Sequence, residues 1–193
     1  MKMFNRAAVA AAMGMGLLAT QSAYAQDVHQ HSLTTLSDPV LVQIVRANTA
    51  PFFDARNVPP GYAPVLGCVS GQQEGAMGLH YLNGALLMDG GVLNETTPEV
   101  LIYEKRGDRE VLVGVEYIVM AADWDRNNPA GNPPALRGQN FQFVDAPNRF
   151  RLDPFYELHV WAWRDNPHGS FVDWNTAVTC DGYSKNPKGF PPQ

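Results

Sequence analysis

The chain is poor in cysteine and in charge. Cys68 and Cys180 are the only cysteines in 193 residues, and Asp, Glu, Lys and Arg together make up 17%. No Cys-x-x-Cys pair is present, which counts against the two cysteines as metal ligands. Neither a Gly-x-Ser-x-Gly elbow nor a P-loop, dinucleotide fingerprint or His-Glu-x-x-His occurs, so those mechanisms lose their support. No basic cluster exists to hold nucleic acid, and no apolar run is long enough to span a bilayer. Repeats and low-complexity tracts are absent as well.

What is present begins with a secretory pattern. Lys2 and Arg6 form a positive leader, Ala7 to Leu18 an apolar stretch, and Ala23-Tyr24-Ala25 a small-residue cleavage site. The mature chain is expected to begin near Gln26 and to be periplasmic or secreted. Removing Met1–Ala25 takes the formal net charge from −5 to about −7. About 170 residues remain, enough for one domain with a real core. In an oxidising compartment a solitary cysteine pair most simply forms one disulfide. Closing a loop of about 110 residues is worth on the order of 4–5 kcal/mol in the chain-entropy model.

Residues 26–36 are polar and without periodicity, which predicts a flexible leading segment. Ser37-Asp38-Pro39 starts a helix, and Leu41, Val42, Ile44, Val45 and Phe52 carry it to about Ala55. Four β-like runs follow: Met77–Asn83, Glu99–Lys105, Val111–Ala121 and Phe155–Trp163. Gly107-Asp108 separates the second and third as a tight hairpin. Asp123–Gly138, rich in Pro, Asn and Gly, reads as a long loop and a lid across one end of the sheet. Arg164–Gly169 is a turn, and Asp181–Gln193 an extended tail. The fold class is mainly β with one N-terminal helix: a single domain, residues 37–180, built on an antiparallel curved sheet or a cupin-like barrel. Gly78 and Gly114 mark bends or close approaches.

Each strong strand carries a ligand-type or acid/base side chain among apolar neighbours. Period-2 alternation puts His80 with Gly78 and Leu82, Glu104 with Val100 and Ile102, and Glu116 with Leu112, Gly114 and Ile118. His159 shares its face with Trp161 and Trp163. Carboxylates centred in Val/Ile-rich strands are costly to bury unless paired, hydrogen-bonded or metal-bound. Convergence would bring His80, Glu116 and His159 together as a first shell for Zn, Mn, Fe or Cu, with Glu104 a fourth ligand or general acid/base and Glu116 sharing the catalytic work. Trp161, Trp163 and Tyr117 would form the substrate wall. The plain alternative keeps His159 as a core histidine and pairs the glutamates with Lys105, Arg106 or Arg109. His29-Gln30-His31, close behind the cleavage site, is a second candidate for copper.

The runs Met77-Gly78-Leu79-His80-Tyr81-Leu82-Asn83, Pro98–Glu104 and Leu112–Tyr117 resemble those of an uncharacterised family of exported bacterial proteins. So does Leu158–Gly169, continuing through Trp174-Asn175 to Cys180. The resemblance covers about Asp38 to Cys180 and implies membership and export, but no activity. His168 falls in the variable slot of its Asn-Pro-x-Gly turn.

Three function classes stay open: a small metal-dependent enzyme acting on an organic molecule or polymer fragment, a non-catalytic metal- or ligand-binding protein, and a structural domain with an inert polar core. The enzyme reading implies a small-molecule partner and a metal that polarises a substrate oxygen or activates water or O₂. The disulfide is tested first. Free-thiol titration of denatured, unreduced protein is expected to find no reactive thiol; two would rule the bridge out.

Overall fold

The computed structural model describes residues 38–183. The expected secretory signal, the segment 26–36, the His29-Gln30-His31 triplet and the chain beyond Tyr183 lie outside the described residues. Helix α1 (Val40–Thr49) starts directly after Pro39 and buries Leu41, Val42, Val45 and Thr49 as one stripe. The sequence pattern carries this helix on to Ala55, but the structure ends it at Thr49. Pro51 is the cause: it has no N–H to continue the ladder, although Ala50 before it keeps helical backbone angles. The chain tightens instead into short 3-10 turns at Ala50–Phe52 and Ala55–Asn57. Between them, Asp54 accepts hydrogen bonds from Arg56 and Arg109, and these guanidinium groups, Arg56 above all, hold its carboxyl well below the usual range.

Nine strands are present among the described residues: β1 (Tyr62–Pro64), β2 (Val69–Ser70), β3 (Ala76–Asn83), β4 (Val100–Arg106), β5 (Arg109–Met120), β6 (Ala135–Leu136), β7 (Gln139–Asn140), β8 (Gln142–Val144) and β9 (Phe155–Val160). The main sheet runs β1-β3-β4-β5-β9-β8, with β2 also on β3, and all its pairings are antiparallel. β4 and β5 are joined at Gly107-Asp108, as the sequence predicts. The end strands β1 and β8 are three residues each and do not pair with one another, so the sheet stays open. The barrel alternative, and the cupin-like closure that goes with it, is therefore corrected to an open, curved antiparallel sheet.

Both faces of the central strands are covered, which is why β4 and β5 read as nearly continuous apolar runs. On one face, Leu101, Tyr103, Val115, Tyr117, Leu158 and Val160 pack against Leu41, Val42 and Val45 of α1. We call this the helix face. On the other, Val100, Ile102, Val113, Ile118, Phe155 and Trp161 pack with Val178; this is the site face.

Two bulges curve the sheet. Val69 pairs with Gly78 and Ser70 with Ala76, so Met77 is the extra residue in β3. Ile102 pairs with Gly114 and Tyr103 with Leu112, so Val113 is extra in β5. The second bulge reverses the faces beyond it. Leu112, which strict alternation puts beside Glu116, consequently packs into the helix face. Gly78 takes φ +92°, and a Cβ there would lie 2.8 Å from the Tyr103 carbonyl oxygen; at Gly114 it would lie 2.9 Å from that of Val160.

The Asp123–Gly138 segment is not a structureless lid. It forms α2 (Ala121–Asn127) and the β6–β7 hairpin, with the Trp124 indole donating to the Asn132 carbonyl. Leu136 and Phe141 join the helix-face core, away from the site face. The site face is covered by other parts of the chain. Phe150 and Leu152 pack on it from the loop before β9, and Val178 from the segment after β9. That last segment is fixed by a bridge between Asn175 and Ala76 and by the Cys68–Cys180 disulfide, whose Cα atoms are 5.7 Å apart.

Gly78→Ala should destabilise the fold by about 1–3 kcal/mol in urea titration, because left-handed backbone and a carbonyl clash coincide there. Gly84→Ala is the control, since a Cβ at Gly84 meets nothing within 4 Å. It should be neutral or slightly stabilising.

Candidate functional site

Three strands bring the site residues together. β3 presents His80, β5 presents Glu116, and β9 presents His159 directly opposite Glu116 in the register. All three are buried, with exposures of 2%, 1% and 1%. One ligand atom from each lies within 4.8 Å of the others, a donor set that could hold a metal ion. A second group of the same kind, Glu157, His159 and Asp173, shares His159 with the first.

The hydrogen bonding of this cluster is incomplete. His80 Nδ1 faces the Gly78 carbonyl oxygen at 3.2 Å, which fixes the proton on that nitrogen and leaves Nε2 as a lone pair. The Nε2 atom is 3.6 Å from Glu116 Oε2, too far for a hydrogen bond. His80 Nε2, Glu116 Oε1, Glu157 Oε2 and both ring nitrogens of His159 are buried without a hydrogen-bond partner. Each such atom costs about 1–3 kcal/mol, more where the group is charged. Only one His159 nitrogen can carry a proton, so the lone pairs in this one place call for something electron-poor between them.

Electrostatics point the same way. Burial pushes the His80 imidazole down to about 3, with the His159 ring and Arg149 adding to the effect, so it is a neutral donor near pH 7. Burial raises the Glu116 carboxyl well above its ordinary value, and the neighbouring carboxyls of Glu157, Asp173 and Glu99 raise it further. A cation, or a shared proton, relieves both effects.

Beside the cluster lies a cavity of about 230 Å³. Its walls are apolar, among them Val65, Leu66, Leu82, Ile118, Phe150 and Phe155, with His80 and Glu116 as the polar groups in the lining. Trp161 is not part of that lining. It stacks on His159 instead, with ring centroids 6.1 Å apart and planes at 23°, and donates its indole N–H to the Val172 carbonyl.

Three expected site residues lie elsewhere. Glu104 is on the site face but at the far end of β4, where Arg106 and the Thr179 backbone N–H occupy its oxygens. The plain pairing alternative holds for this residue. Tyr117 points to the helix face, as its odd position beside Glu116 requires, and donates its hydroxyl to the Glu95 carbonyl. Trp163 also joins the helix face, bonded to Thr49 and packed on Phe53, because β9 ends at Val160 and alternation stops with it.

Glu157 and Asp173 escaped the sequence reading. Glu157 was readable, since it shares parity with His159. Asp173 lies between elements, and no periodicity signals it. It is held in place on both sides: Trp161 donates to the Ser170 and Val172 carbonyls, and Asn175 pairs with Ala76.

Glu99 supplies a stability test. Burial raises its carboxyl to about 7, against the Ile118 N–H, which donates to Oε2 at 3.0 Å. The folded state therefore binds a proton more tightly than the unfolded chain, and this contribution to stability falls as pH rises from about 4.5 to about 7. Glu99→Gln keeps an acceptor for Ile118 and removes the charge. In denaturant titrations it should gain roughly 3 kcal/mol over wild type at pH 8 and little at pH 4. Equal gains at both values would contradict this account.

No family model, curated protein or solved structure matches the chain, so the reading of the site rests on its own geometry.

Proposed function

We propose that the protein is an exported metal-dependent enzyme whose ion is held by His80, Glu116 and His159 and whose substrate is a small, largely apolar organic molecule or polymer fragment. One observation carries the reading. His80 and Glu116, each with a buried donor atom that has no partner, line an apolar cavity of about 230 Å³. A largely apolar pocket with a few convergent polar groups is the usual form of a small-molecule site.

The ion would supply Lewis-acid polarisation of a substrate oxygen. Two nitrogens and one carboxylate suit Zn²⁺, Mn²⁺, Fe²⁺ or Cu²⁺. Around it, the Gly78 carbonyl orients His80, Trp161 orients His159 by stacking, and Phe150 and Phe155 exclude water from the reacting end. Glu116 would supply the carboxylate ligand, and the ion would replace the proton that burial and the neighbouring carboxyls otherwise favour there. Export is supported by the leader pattern, the family resemblance and the disulfide. Among the described residues no helix is long and apolar enough to cross a membrane.

Element analysis of the purified protein should find a stoichiometric transition metal. His80→Ala and Glu116→Gln should each weaken its retention at least about tenfold against a chelator. A substrate panel then looks for turnover that disappears with the metal. Ligand retention without turnover would favour a binding protein. A metal-free protein whose His80 and His159 variants fold and behave normally would favour an inert polar core.

A further inference from the structure

The sites of lone buried donors extend past the first three residues. Glu157 is 3% exposed and its Oε2 atom has no partner. His159 has two unpartnered nitrogens, whereas one ion can use only one of them. Its Nδ1 lies 3.6 Å from Asp173 Oδ1, so a first ion shared with His80 and Glu116 would have to use Nε2. The ligand atoms of Glu157, His159 and Asp173 again fall within 4.8 Å of one another. Asp173 is the one member with real solvent contact, its side chain 23% exposed, and its Oδ1 accepts from Gln142 Nε2 at 2.6 Å.

We propose that the centre takes a second divalent cation, held by Glu157, His159 Nδ1 and Asp173, and joined to the first through the His159 ring. This rests on the metal reading of His80, Glu116 and His159. A single ion leaves Glu157 Oε2 and one His159 nitrogen buried and unsatisfied; a second serves both. Binding both ions uses both ring nitrogens, so the neutral imidazole gives up its remaining N–H proton to solvent. Two dications then face three carboxylates and one imidazolate, which balances the charge of the first shells. One nitrogen and two oxygens form a donor set for Zn²⁺, Mn²⁺ or Cu²⁺. The partly exposed Asp173 gives the second ion a route in from solvent, independent of the apolar cavity.

The test counts ions in the purified protein, stripped with a chelator and reloaded with Zn²⁺ or Cu²⁺. His29 and His31 are replaced by alanine so that the leading segment cannot contribute. Two ions per chain are expected, falling to one in Asp173→Asn and in Glu157→Gln. With copper, the fully loaded protein should show much less paramagnetic resonance signal per ion than the half-loaded protein, through exchange across the shared ring. Asp173→Asn should restore the full signal. Asn keeps the contact to Gln142, and the wild-type count stands even if a variant fails to fold. One ion at saturation, unaffected by Asp173→Asn, overturns the second site and leaves the proposed function intact. One ion lost in that variant places it in the Asp173 group alone and also overturns the pair. Two ions that survive both substitutions put the second elsewhere, and the proposal fails. No ion at all removes both readings.

Discussion

The 3.6 Å gap between His80 Nε2 and Glu116 Oε2 sets the terms for the whole site face. While Glu116 is ionised both atoms accept, because the Gly78 carbonyl holds the His80 proton on the other nitrogen. Neither can then satisfy the other, and their neighbours on these strands are largely apolar. Moving the two apart would unpair β3, β4 and β5, whose cross-strand register fixes their positions. The sheet thus imposes a proximity that only a proton or a cation between the groups makes favourable. A fold under no functional demand would replace such residues with Leu or Val at little cost.

The Gly78 bulge links that electrostatic problem to the backbone. The same left-handed residue that bends β3 turns its carbonyl toward His80. Curvature of the sheet and orientation of a donor are therefore one feature. The Val113 bulge does similar work on β5, where it lets Gly114 meet the β9 end and Trp161 closely. Trp161 in turn braces His159 by stacking and Asp173 by hydrogen bonding to its neighbour Val172.

How much of this was legible depends on where alternation holds. β5 and β9 pair without interruption from Val115 to Met120, so parity correctly puts Glu116 and His159 on one face. Val113 broke the rule for Leu112, and the end of β9 broke it for Trp163; neither bulges nor strand ends leave a period-2 trace. The position of Tyr117 was determined by the same parity that places Glu116, and it belongs with the core. The cysteines were readable because only one pairing exists. Asp173 and the Phe150 wall come from loops, whose course is set by tertiary contacts and not by local pattern. The helical turn at Ala121–Asn127 was hidden in a stretch whose Pro, Asn and Gly dominate the composition.

The covering of the site face also constrains how the chain can be divided. Its cavity wall begins at Val65, its candidate ligands are drawn from β3, β5, β9 and the segment after β9, and the last of them in the chain is Asp173. The disulfide fastens Cys68, near the first of these, to Cys180, just past the last. No contiguous fragment smaller than nearly the whole described region contains a complete set. The β4–β5 hairpin carries Glu116 but no histidine, and a piece ending before Phe155 loses the shared imidazole. Insertions are tolerable at the Gly107-Asp108 turn, which lies at the end of the β4–β5 hairpin away from His80, Glu116 and His159.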